Sequence, residues 1–70
     1  MTYTKIKQAL KKIAGGAEFC THGHIKQCIG CGNSTAVNIT RGLDYICFKR
    51  TKRYDIDEVA ARIYEYTERR

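Results

Sequence analysis

The chain has no proline and no tryptophan, a single methionine, and no apolar run approaching the length of a membrane span. Without proline there are no polyproline spacers or rigid X-Pro turns to divide the chain. Without ~20 consecutive apolar residues there is no spanning helix. The first twenty residues are interrupted by Lys5, Lys7, Lys11 and Lys12, so no secretory leader is expected. The expected setting is therefore cytoplasmic and reducing, where thiols stay free. Acidic residues are also scarce, 7 against 13 lysines and arginines, which leaves a net charge of +6.

Cysteine is the one residue type present in excess for the size. Of four cysteines and two histidines, five fall between Cys20 and Cys31. A chain of 70 residues forms one domain, here residues 1–70, and one this small stabilises itself weakly through its apolar core. A staple is expected, and in a reducing compartment Cys-x2-Cys beside histidines favours zinc over a disulfide. The expected fold is α+β: an N-terminal helix, a zinc loop or knuckle, a β-hairpin and a C-terminal helix.

The helices follow from periodicity. Ile6, Ala9, Leu10, Ile13 and Ala14 share one helical face, with Thr2 or Thr4 as N-cap and Gly15-Gly16 as the stop. Ile56, Val59, Ala60, Ile63 and Tyr66 or Thr67 form a second stripe, capped by Asp55 or Asp57 and ending in Arg69-Arg70. Between them, residues 17–32 show no period and read as loop with a short strand near Glu18 to Cys20. Residues 35–40 and 45–50 are rich in β-branched and aromatic side chains. With turn chemistry at residues 41–44, they read as the two strands of the hairpin.

Cys28-Ile29-Gly30-Cys31-Gly32 is the sharpest local motif, since two thiolates three residues apart close on one ion in a glycine-permitted knuckle. Two further ligands are needed, from Cys20, His22, His24 and Cys47. Cys28-x2-Cys31-Gly-Asn, followed by Gly42, Asp44 and Ile46-Cys47-Phe48, resembles the zinc ribbon of phage and bacterial DNA primases over about residues 24–50. The second Cys-x2-Cys expected from that resemblance is broken, because Arg50 stands in place of the last cysteine. Cys20, Cys28, Cys31 and Cys47 form the leading zinc set, completed from upstream. A compact alternative joins Cys20 and His22 or His24 to Cys28 and Cys31, with Cys47 as a packing residue.

Charge is distributed in blocks: +4 over residues 1–16, zero over 17–48, +4 over 49–54 and −2 over 55–70. Lys49, Arg50, Lys52 and Arg53, flanked by Phe48 and Tyr54, are the candidate nucleic-acid contacts. A basic hairpin exit also serves as a solvated guard on an edge strand. The expected function is a small basic zinc module that binds nucleic acid non-enzymatically, as a regulator. The alternative is a phage-type regulator docking on an acidic surface of a host protein such as RNA polymerase. No catalytic residue is expected. His22 has no serine or acid beside it, Asp55, Asp57 and Glu58 occupy a helix start, and a closed zinc site has no position for water.

Overall fold

The computed structural model describes residues 2–68, with side chains through Tyr66. Its elements run α1 (Tyr3–Ile13), β1 (Phe19–Cys20), α2 (His22–Ile29), α3 (Asn33–Thr40), β2 (Tyr45–Phe48), β3 (Thr51–Asp55) and α4 (Ile56–Glu68). The expected α+β class, both terminal helices and the short strand ending at Cys20 are present.

Local chemistry sets each boundary. Thr2 Oγ1 accepts from the Lys5 amide, 3.3 Å, and opens α1. Gly15 and Gly16, at φ 74° and 87°, close it, with their amides returning to the Lys12 and Lys11 carbonyls at 3.1 and 2.8 Å. This is the paired C-terminal closure that left-handed glycines permit. At the other end of the chain Asp55 Oδ1 accepts from the Asp57 amide, 2.8 Å, and caps α4. Ile6 and Leu10 of α1 face Ile56, Val59, Ala60 and Ile63 of α4, and this pairing is the centre of the core. Tyr66, expected in the stripe, is 44% exposed. Arg69 and Arg70 and the side chain of Thr67 lie outside the described residues.

The middle of the chain departs from expectation. Residues 17–32 contain a helix, α2, where a loop was expected. Thr21 caps it reciprocally: Thr21 Oγ1 accepts from the His24 amide, 3.4 Å, and His24 Nδ1 accepts from the Thr21 amide, 3.1 Å. Gly30, at φ 63° and ψ 39°, ends it. Three residues, Gly30 to Gly32, then turn the chain into α3. Residues 35–40, expected as a strand, are helical because Ala36, Ile39 and Thr40 recur at helical spacing and all three are buried. Tertiary burial here overrides the weak helix preference of Thr, Val and Ile.

The hairpin is therefore one strand later than expected. β2 and β3 pair antiparallel from Tyr45↔Tyr54 to Phe48↔Thr51, and β1 pairs on the other side of β3, giving the order β1-β3-β2. Lys49 and Arg50 form a two-residue turn with φ of 51° and 66°. Residues 24–50 are thus two helices and one strand, where the primase resemblance implied a strand, a turn and a second strand. Nothing in the architecture is specific to a zinc ribbon.

Candidate nucleic-acid interface

α3 presents a polar face. Its buried side carries Ala36, Ile39 and Thr40, which leaves Asn33, Ser34, Val37 and Asn38 exposed on the other side, continued by Arg41 beyond the helix end. None of these residues stood out in the sequence. The usable signal was the Gly-Cys-Gly turn between two short stretches whose apolar residues, Ile25 and Ile29 in one and Ala36 and Ile39 in the other, fall at helical spacing.

Two contacts lock α3 in place. Arg62 of α4 donates from Nη1 to the Arg41 carbonyl at 2.8 Å and to the Ile39 carbonyl at 3.5 Å, satisfying carbonyls at the C-terminal end of α3. Thr40 Oγ1 lies 3.2 Å from both the Ala36 and the Val37 carbonyls and 2.9 Å from His22 Nε2. The direction of the bond between Thr40 Oγ1 and His22 Nε2 is set by the His22 tautomer. Burial pushes the His22 pKa down, and the Lys26 and Lys52 charges add to the shift. The shift favours the neutral ring, which bridges the start of α2 to the end of α3.

One of the candidate cations, Lys52, lies beside this helix. A cleft of about 320 Å³ runs between α3 and the hairpin, with Val37 and Arg41 on one wall and Tyr45 and Lys52 on the other. α3 and the hairpin therefore open onto one surface. Lys52 Nζ lies 4.8 Å from the centre of the Tyr45 ring, while Lys49 Nζ and Arg53 Cζ lie 5.4 and 5.7 Å from that of Phe48. Lys49, Arg50 and Lys52 are exposed and Arg53 is half-buried. No acidic side chain forms an ion pair with these four cations among the described residues. Two of the four lysines of α1 differ: Lys7 pairs with Asp57 at 2.7 Å and Lys11 with Glu18 at 3.1 Å, while Lys5 and Lys12 have no acidic partner among the described residues; α1 packs chiefly on α4, α2 and β1.

Cys20, Cys28 and Cys31 belong to one apolar cluster, and Cys47 stands apart on β2. Cys20 is fully buried in the apolar core, Cys28 at the end of α2 and Cys31 in the turn are half-buried, and Cys47 is exposed on β2. Burial, reinforced by Cys28 and Asp55, pushes the Cys20 thiol up to about 12. Burial, then Cys31, raises Cys28. Cys20 opposes Tyr54, while Cys47 opposes Lys52 on the far side of the same strand. Two strand spacings and two residue rises put their Cα atoms about 12 Å apart. Two cysteines sharing one zinc through bonds of ~2.3 Å reach at most roughly 10 Å. No group of three or more His, Cys, Asp or Glu side chains among the described residues gathers to hold a metal. The donor set Cys20, Cys28, Cys31 and Cys47 does not fit one tetrahedral ion in this arrangement. Of the alternative ligands, His22 bonds Thr40 through Nε2 and His24 the Thr21 amide through Nδ1, so each has its other ring nitrogen outside these bonds.

No helix among the described residues is long and apolar enough to cross a membrane. Comparison with known proteins adds no relative: no family model, curated protein or solved structure matches the chain.

Proposed function

We propose that the chain is a winged helix–turn–helix module that binds duplex DNA without catalysing a reaction, as a regulator would. In this reading α3 lies in the major groove and the β2–β3 hairpin rests against the phosphates as the wing. The observation that carries it is the shared cleft: a helix with a polar, exposed face stands across from the hairpin, whose Lys52 lines that cleft with Val37 and Arg41 and whose cations have no acidic partner among the described residues. An eight-residue helix is about 12 Å long and suits a major groove about 12 Å wide. The turn from α2 into α3 and the placement of base-facing residues from the first turn of α3 onward follow the helix–turn–helix docking pattern.

Zinc plays no part in this reading, and the nucleic-acid role of Lys49, Arg50, Lys52 and Arg53 stands without it. The test is a titration of labelled duplex DNA at several salt concentrations. Four phosphate contacts give a slope of log affinity against log salt of roughly −3 to −4. Absence of duplex binding at low salt overturns the reading.

A second reading, docking on an acidic protein surface, draws on β2. This edge strand exposes Tyr45, Ile46 and Phe48 by 51%, 50% and 53%, more apolar surface than phosphate contacts require. It gains ground only if duplex binding fails.

A further inference from the structure

The proposed DNA-binding reading leaves open which bases α3 would meet, and the composition of its exposed face answers that chemically. We propose that α3 reads an A·T-rich target in the major groove, with Asn33 and Asn38 addressing adenine and Val37 the thymine methyl.

No residue from Asn33 to Thr40 is charged. Guanine presents two acceptors, N7 and O6, and is read by a forked or multiple donor such as Arg or Lys. Cytosine offers an amino donor and is read by Asp or Glu. The face has neither kind. Adenine presents an acceptor at N7 and a donor at N6, which matches the donor and acceptor pair of one carboxamide. Asn33 and Asn38 are the two carboxamides on the face, and both are exposed.

Val37 supplies the second argument. It is 40% exposed on an otherwise polar face, while the core side of the helix is already filled by Ala36 and Ile39. A branched aliphatic group between two carboxamides fits the C5 methyl that distinguishes thymine. Ser34 hydrogen-bonds any base edge and adds no preference.

Two cations stand near this face: Lys52, across the cleft, belongs to the hairpin, and Arg41 is directed elsewhere by its geometry. Its Nη2 donates to Asn38 Oδ1 at 3.2 Å, which folds the guanidinium back along α3 at the C-terminal end. Arg41 is the C-cap of α3, past its last helical residue, and falls to the backbone. The bond also orients the Asn38 amide. Oδ1 keeps a second lone pair for the adenine amino group, and both amide hydrogens remain for N7.

A preference for A·T could also arise without α3, because narrow A·T minor grooves attract the cations of a wing. Inosine separates the two origins. A dI·dC pair shows the minor-groove edge of A·T but the major-groove acceptors of G·C. The experiment measures anisotropy of the intact protein on alternating dA·dT, dG·dC and dI·dC duplexes, and on dA·dU, which lacks the methyl.

The expected result is dA·dT bound at least tenfold more tightly than dG·dC, with dI·dC as weak as dG·dC and dA·dU weakened severalfold. Asn38→Ala and Asn33→Ala should erode the preference while leaving dG·dC affinity and helicity unchanged. Val37→Ala should bind dA·dT and dA·dU alike. Equal affinity for all four duplexes, or dI·dC bound as tightly as dA·dT, overturns the inference and leaves duplex binding intact. Failure to bind any duplex overturns the DNA reading itself.

Discussion

The α1–α4 side of the molecule and the α3–hairpin side use charge in opposite ways. On the first, two of the four α1 lysines are answered locally: Lys7 and Lys11 have carboxylate partners, and Tyr3 Oη donates to the Asp57 carbonyl at 3.3 Å. Beneath them Ile6 and Leu10 of α1 and Ile56, Val59 and Ile63 of α4, all buried, pack together. On the second, β2 is exposed along its whole length, and the hairpin cations stack on aromatic rings with no carboxylate to pair with among the described residues. Exposed ion pairs add little stability, and unanswered clustered charge costs some. The contrast teaches that folding rests chiefly on one side and, in the proposed reading, that the positive charge of the other serves an outside partner.

Breaking the first side should cost the most. Ile63→Ala should lower unfolding stability by about 2–5 kcal/mol in urea titrations, a large part of what a small domain has. Duplex affinity should then fall only as far as the unfolded fraction grows.

Alkaline pH tests the same side through Cys20. Its folded pKa lies above the ordinary value of 9.0, so the neutral thiol is the form the fold favours. The stability it contributes is fully present below pH 9.0 and is lost as pH rises toward about 12. Cys20→Val, close in volume and without a titrating group, should flatten that part of the stability profile. An unchanged profile would refute the assignment.

On the other side, Lys49→Ala with Arg50→Ala should reduce the salt slope of DNA binding by about 2 while the melting temperature stays within error. A sharper separation comes from the turn itself. Left-handed φ values at Lys49 and Arg50 are costly for such residues, whereas Asn-Gly is favoured in two-residue hairpin turns. Lys49→Asn with Arg50→Gly should therefore stabilise the fold by roughly 1 kcal/mol and weaken DNA binding. The smallest effect concerns metal: zinc or a chelator should leave the melting temperature unchanged. A zinc-dependent rise abolished by Cys28→Ser would return the cysteines to a shared site.

The terminal helices were legible because periodicity, caps and glycine stops agreed. Asp55 caps α4 and Gly15-Gly16 close α1 as those rules require. The centre was obscured by two conflicts. Thr35, Val37, Ile39 and Thr40 have strand-favouring side chains, yet burial at helical spacing decides their conformation. The true hairpin turn, Lys49-Arg50, contains neither glycine nor asparagine, so it gave no turn signal, whereas Arg41-Gly42-Leu43-Asp44 gave a strong one and merely links α3 to β2. α2 was hidden because its capping partner is a histidine in place of the usual glutamate or glutamine, and because its cysteine and histidines read as metal ligands. The hairpin cations were visible as a charge block. Their neighbour on the shared surface, the exposed face of α3, was not, since polar uncharged residues acquire meaning only once the helix exists.

The Arg62 clamp has a kinetic consequence. By tying the carbonyls of Ile39 and Arg41 to α4, it fixes α3 before any partner arrives, so docking requires no ordering of that segment. Association should then proceed as a rigid-body encounter whose rate is governed by long-range attraction from the wing. Differences between target sequences, which are felt only after contact, should appear as differences in residence time.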